Sequence, residues 1–219
     1  SVPSFIRNFL ADNTFAETEL LYDVYGNVKE ITAPKNYKGE QVKTKFTYDT
    51  EVNQYITSVL NFPFGESICS KYNIGKGLLE KSVDVNGHIT QYEYDDFYRV
   101  SNIWAPRELA NATSAATIHF DYYYQGIDKT AINDKNKHVP VAITTHNMAI
   151  NQTQDYTAST LACNSLVSVA NRPAITNAMR TATFIDGLQR VVQVQKDASS
   201  GTSTVQLVSG LTKLDDWGR

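Results

Sequence analysis

The sequence predicts an all-β fold, antiparallel β-hairpin repeats forming an open curved sheet, and three observations carry that expectation. The chain of 219 residues contains 13 Tyr and 9 Phe, an aromatic load that, with frequent Val, Ile and Thr, favours strands. One spacing, an Asp followed four residues later by Asn or Arg, recurs five times along it. The flanks of that spacing alternate apolar and polar residues with a period of two.

The repeats run in order as Asp23 with Asn27, Asp49 with Asn53, Asp95 with Arg99, Asp186 with Arg190 and Asp215 with Arg219. An apolar residue stands before each Asp: Tyr22, Tyr48, Tyr94, Ile185 and Leu214. Before Asp95, Tyr92 and Tyr94 alternate with Gln91 and Glu93. After Arg99 come Val100, Ile103, Trp104 and then Pro106, and after Asn27 come Val28, Ile31 and Pro34. Proline closes each strand because it cannot donate to a ladder. Between such strands an Asp carboxylate accepts backbone N–H groups just ahead of it and makes a turn. Gly26 and Gly218 suit a positive φ in that turn. Tyr98, Gln189 and Val52 stand in the same place in the other copies, and β-branched Val52 fits it worst, so the Asp49 turn is expected to differ. Asn86-Gly87 is a tight hairpin turn, making Asp84 to Pro106 a β-meander. Turns are therefore expected at 23–27, 95–99 and 186–190, and a helix across any of them would contradict the repeat.

Three stretches break the rhythm as irregular insertions in a single repeat region spanning 1–219. Residues 107–117 are Ala-rich and suit a short helix or a loop, 125–138 are polar and suit a loop, and 147–180 suit irregular strands or a short helix. The motif at Leu214–Arg219 has no second arm. Together with an N-terminus that begins without a repeat partner, it predicts an unfinished sheet with an exposed edge strand near a terminus, within a larger protein.

These residues resemble the RHS/YD-repeat family, whose core is Tyr-x-Tyr-Asp-x-x-Gly-Arg followed by an apolar strand. The run from Gly87 through Tyr92, Tyr94, Asp95 and Arg99 to Val100 is similar to it, with Tyr98 in the Gly position, and Tyr22 to Val28 is a second match. Thr181 to Gln193, and Val208-Ser209-Gly210 with Leu214 to Arg219, look like the insecticidal toxin-complex B components and their plasmid-virulence relatives. The resemblance covers roughly half of the chain. It implies a segment of a hollow RHS/YD-repeat β-shell that encloses a toxic C-terminal domain. The partners it implies are adjacent RHS repeats and an enclosed toxin domain of the same or a partner chain, in a secreted or bacterial cell-surface setting. The family's self-cleaving protease lies in a separate motif with no match here, so no catalytic residue is carried over.

Chemistry was sought in the residues themselves. His88, His119, His138 and His146 lack metal-ligand spacing, and His88 is an exposed polar residue beside a turn. No nucleophile elbow, P-loop or dinucleotide fingerprint occurs, and Gly75-Lys76-Gly77 is a turn. The Asp95-Asp96 and Asp215-Asp216 pairs are assigned to hairpin chemistry, not to acid–base work or Ca²⁺. No enzyme activity, cofactor, metal or catalytic site is expected. A formal charge of −3 with interleaved signs leaves no basic stripe for nucleic acid, and no apolar run is long enough to span a bilayer as a helix. Ser1 to Arg7 lacks a signal-peptide layout. Cys69 and Cys163 could pair, which sequence does not show, and two buried free thiols are the favoured reading. Exposed Tyr and Trp could stack on carbohydrate, but packing of hairpin on hairpin is the favoured reading. The chain is thus expected to be a non-catalytic scaffold, with a cell-surface adhesion or carbohydrate-binding module as the alternative.

Overall fold

A computed structural model describes residues 2–11, 14–123, 140–149, 163, 165–186, 188–200 and 203–212. The strands, in chain order, are β1 (Phe5–Phe9), β2 (Phe15–Tyr22), β3 (Val28–Thr32), β4 (Lys43–Tyr48), β5 (Ile56–Phe62), β6 (Glu66–Asn73) and β7 (Leu78–Val83). They continue as β8 (Ile89–Tyr94), β9 (Val100–Trp104), β10 (Ile118–Tyr123), β11 (Val141–Asn147), β12 (Ala178–Ile185), β13 (Val191–Ser200) and β14 (Ser203–Ser209), with one short helix, α1 (Pro106–Ala110). The 14 strands pair in chain order as one open antiparallel sheet, so the all-β hairpin expectation holds. A meander of this kind forms because each turn delivers the chain beside the strand it has just left.

The expected turns at 23–27, 95–99 and 186–190 all fall between strands, and no helix crosses them. The register shifts by one residue just before several turns, between Leu21 and Tyr22, Thr47 and Tyr48, Lys71 and Tyr72, and Phe184 and Ile185. Such a bulge turns the last strand residue, usually Tyr, relative to its neighbours and aims the next residue into the loop. The Ala-rich stretch does carry the short helix, which starts at Pro106, where the missing N–H of proline costs nothing. The stretch 125–138, all of 150–162 and the motif at Leu214–Arg219 lie outside the described residues.

The chain divides into two compact units, Ser1–Gln91 with Tyr156–Val167, and Tyr92–Asp155 with Ser168–Arg219. In each, described residues from later in the chain return to the sheet. In the first, the Gln91 amide accepts the Val167 N–H at 2.9 Å and donates to the Val167 carbonyl at 3.0 Å, as a strand backbone would. Lys81, fully buried, donates to the Ser165 carbonyl at 2.8 Å, and burial holds its ammonium below the usual lysine range. Cys69 and Cys163 are joined by a disulfide with Cα atoms 6.1 Å apart, which corrects the expectation of free thiols. The two residues are 94 apart in sequence, and nothing local in the chain signals that the returning segment brings them together.

In the second unit, Arg172 donates to the carbonyls of Glu108, Leu109 and Asn111, closing the end of α1 whose carbonyls have no helical partner. Its guanidinium lies 5.2 Å from the Trp104 ring centre. Trp104, Leu109, Ala116, Val141 and Phe184 are buried in this unit. Glu108, also buried, is held by Arg107 and by the Thr117 hydroxyl at 2.7 Å.

Closing a loop of that length removes much chain entropy from the unfolded state, so Cys69→Ser is expected to cost about 4–5 kcal/mol. Urea denaturation checks this, and a thiol reductant should lower the wild-type midpoint to that of the variant.

Candidate functional site: the Asp-anchored turns

Each repeat turn is built around one carboxylate. At Asp95, Oδ1 accepts the backbone N–H groups of Phe97 and Arg99, both at 2.9 Å, while Oδ2 accepts from Arg99 Nε at 2.7 Å. The backbone closes the same loop, with the Asp95 N–H donating to the Arg99 carbonyl and the Tyr98 N–H to the Asp95 carbonyl, each at 2.9 Å. Asp186 repeats this with Leu188 and Arg190 on Oδ1 and Arg190 Nε on Oδ2, at the same distances. Asp23 does so with Tyr25 and Asn27, the Asn27 amide taking the place of the guanidinium at 3.1 Å. The fourth residue has positive φ in all three: Gly26 at 88°, Tyr98 at 63° and Gln189 at 62°. Tyr98 and Gln189 therefore take the left-handed conformation against their own preference, held by the bonds on either side.

Asp49 departs, as Val52 foretold. Its N–H donates to the Tyr55 carbonyl, so the loop is two residues longer, and Asn53, not Val52, takes positive φ at 55°. The carboxylate accepts five backbone N–H groups, from Glu51, Val52 and Asn53 on Oδ1 and from Gln54 and Tyr55 on Oδ2.

Two further copies escaped the sequence reading. Asp84 accepts from the Asn86 and His88 N–H groups and faces His88 Nδ1 at 3.1 Å, while its own N–H donates to the His88 carbonyl. The predicted two-residue Asn86-Gly87 turn is thus the centre of a five-residue Asp84–His88 loop, and His88 is a half-buried partner in it, not a bystander. Asn36 makes the same loop with amide and carboxylate exchanged: its Oδ1 accepts from the Lys38 and Glu40 N–H groups, and its amide donates to the Glu40 carboxylate at 2.9 Å. The signal common to both is an Asx residue, Gly at the fourth position and a hydrogen-bonding side chain at the fifth, a wider pattern than Asp with Asn or Arg. Asn73 heads a related turn through Gly75-Lys76-Gly77, accepting from Lys76 and Gly77. Gly77 has φ 69°, and a side chain there would meet the Tyr55 hydroxyl at 2.7 Å.

The tyrosines join neighbouring hairpins. The hydroxyls of Tyr22, Tyr48 and Tyr122 donate to the carbonyls of Pro3, Val28 and Val100 at 2.8 to 2.9 Å, each at or before the start of the preceding strand. The Asn27 amide donates to the Asn53 carbonyl at 2.7 Å, linking two turns directly. The Arg99 guanidinium lies 4.1 Å from the Tyr122 ring centre.

The electrostatics follow the same pattern. Arg99, on side chain and backbone, holds the Asp95 carboxyl below its ordinary value, and the Arg190 N–H does so for Asp186 and the His88 N–H for Asp84. At Asp49, desolvation pushes upward, but the N–H groups of Tyr55, Val52, Gln54 and Asn53 outweigh it and leave the group strongly acidic. Asp95 is thus occupied as an acceptor, and Asp96 beside it is exposed. His119 sits between Asn102 and Asp121, His146 lies on β11, and His138 and the Asp215-Asp216 pair lie outside the described residues.

No family model and no curated protein matches the chain. Solved structures do. The crystal structure of TcdB2-TccC3-Cdc42 is similar to 98% of this chain with a TM-score of 0.59 and 8% identity. TcdB2-TccC3 without its hypervariable C-terminal region is similar to 99% of it with 0.59 and 9%, and TcdB2-TccC3-TEV to 99% with 0.57 and 10%. The chain spans 14% of the length of each. At these identities the likeness is one of fold.

Asp95→Ala removes the acceptor for three donors in one turn and is expected to lower Tm by about 2–4 °C, measured by circular dichroism. A Tm equal to wild type would show that the backbone bonds alone hold the turn. Acid should act through Asp49. Its carboxyl is more acidic folded than unfolded, so the unfolded state takes the proton first, and the stability it confers is complete above about pH 4 and lost as pH falls further. Asp49→Asn, with its amide facing the Gln54 and Tyr55 N–H groups, should be less stable at pH 7 and lose less Tm between about pH 5 and about pH 2, since one proton-linked contribution is gone.

Proposed function

We propose that the chain is a non-catalytic scaffold, one stretch of the wall of an RHS-type β-shell in a toxin-complex-like protein, whose partners are the adjacent repeats and an enclosed toxin domain. The observation that carries this reading is the state of the two end strands. Among the described residues, β1 pairs only with β2, and β14 only with β13. Within that set each leaves one row of backbone N–H and C=O groups without a strand partner, and both carry apolar side chains in water, with Phe9 80% and Leu207 62% exposed. A strand with an open edge and exposed apolar faces is an aggregation hazard in a free-standing domain and is ordinary where further strands and an enclosed cargo cover it. The fold likeness to TcdB2-TccC3 chains, which are toxin-complex components, supports the same placement. A further support is that the recurring Asp residues are committed to backbone N–H groups and are poorly placed for proton transfer in catalysis.

The setting we infer is secreted or at the bacterial surface. The Cys69–Cys163 disulfide supports it, because such bonds persist in oxidising compartments.

Cryo-electron microscopy of the full-length gene product tests the reading. The expected result is a hollow β-shell in which the strand before β1 and the strand after β14 continue the same ladder. A separate domain with both edges in solvent would overturn it.

A further inference from the structure

In the second unit, a row of polar side chains runs across five consecutive strands on one face of the sheet. Asn102 stands opposite His119, His119 opposite Thr145, and Thr145 opposite Arg180. At the β8 end, the Glu93 carboxylate accepts from the Asn102 amide and from Trp104 Nε1, both at 2.9 Å. The Asn102 carbonyl oxygen lies 2.8 Å from His119 Nδ1, and Asp121 lies 3.1 Å from His119 Nε2. Further along the same face, Val141 and Phe184 are opposite one another and buried, so the sheet closes there in the ordinary way. Over the polar row it does not close. The segment 169–175 crosses above and leaves a cavity of about 590 Å³, within the range of small-molecule sites.

The chemistry of the lining selects its occupant. Two carboxylates, Glu93 and Asp121, face two guanidinium groups, Arg172 and Arg180, so neither a polyanion nor a polycation is matched. An apolar ligand would strip water from the polar row and leave its groups unpaired. The row runs from an acceptor, the carboxylate, through groups that both donate and accept, amide, imidazole and hydroxyl, to a donor, the guanidinium. A ligand hydroxyl also both donates and accepts, so a molecule carrying several fits such a row. The reachable groups are those the ligand would need. The His119 and Asp121 side chains are each 39% exposed, and Arg180 is exposed. Tyr123, 40% exposed, stands on the wall and offers a ring to the C–H face of a cyclic ligand. Trp104 forms part of the lining but is buried and has Arg172 against its ring, so stacking on tryptophan is not the basis of the site.

We infer that this cavity binds a neutral polyhydroxylated molecule, held by Asp121 and Arg180 with Tyr123 at its side. The inference does not rest on the shell reading and could hold if that reading failed.

Binding is tested on the chain with glucose, galactose, N-acetylglucosamine, cellobiose and lactose as cyclic probes and sorbitol as a linear one. The chain has two tryptophans, so a Trp217→Phe background leaves Trp104 as the single fluorescent reporter in the cavity wall. Saturation-transfer NMR gives a second, independent readout. A saturable response to at least one probe is expected. Asp121→Ala and Arg180→Gln, both at solvent-reachable groups, should each weaken it by about tenfold, while Lys38→Ala should leave it unchanged. Tyr123→Ala should abolish a response to the cyclic sugars more than one to sorbitol. Absence of a saturable response to every probe in both readouts overturns the inference, as does a response that survives both Asp121→Ala and Arg180→Gln. Inorganic phosphate giving the only saturable response would also overturn it.

Discussion

The structure depends on one interaction, the acceptance of backbone N–H groups by a single Asx side chain at the start of a turn. A hairpin loop of five residues leaves N–H groups pointing inward with no strand to receive them, and an unpaired polar group of that kind is costly. One carboxylate oxygen takes two of them at Asp23, Asp84, Asp95 and Asp186. The second oxygen is then free for the side chain at the fifth position, which is why Asn, His and Arg can all serve there while Asp remains. Asn36 with Glu40 shows the limit of the rule: the hydrogen-bond pattern is kept and amide and carboxylate change places.

The same interaction explains why the strands follow in chain order. A turn closed from within delivers the next strand beside the last, and the bulge before it sets the twist at which the strands part. The tyrosine that precedes the Asp then turns sideways, and its hydroxyl reaches the carbonyl of the strand before. Turn and strand are therefore coupled along the sheet as well as along the chain. Each hairpin contributes an anchor to itself and a tie to its neighbour, which is how a repeat architecture grows by addition.

Such a sheet has little core of its own, and the two returning segments supply part of it. Val167 bonded to Gln91, Ser165 bonded to Lys81 and the disulfide at Cys163 cover one part of the sheet. Arg172, gathering three carbonyls and lying against Trp104, covers another. Where that second cover stands away from the sheet, it leaves the polar row and its cavity. Among the described residues, no such cover lies over the end strands.

The turns were legible in the sequence because they are local. Asp23, Asp95 and Asp186 carry their own partners within five residues, and Val52 announced that the Asp49 turn would be different. Asp84 and Asn36 were hidden only because His and Glu stood where Arg was sought. The order of the strands that these turns join followed, since hairpin loops that short leave no other choice, whereas β9 to β12 are joined by longer stretches. What the sequence by itself determined is therefore everything whose partners lie a few residues apart. The Cys69–Cys163 bond, the Gln91–Val167 pairing, the burial of Lys81 and the row from Glu93 to Arg180 join residues tens of positions apart. Those were decided only by the tertiary structure, because the registers of successive strands must accumulate, and an irregular segment must return across them, before such residues meet.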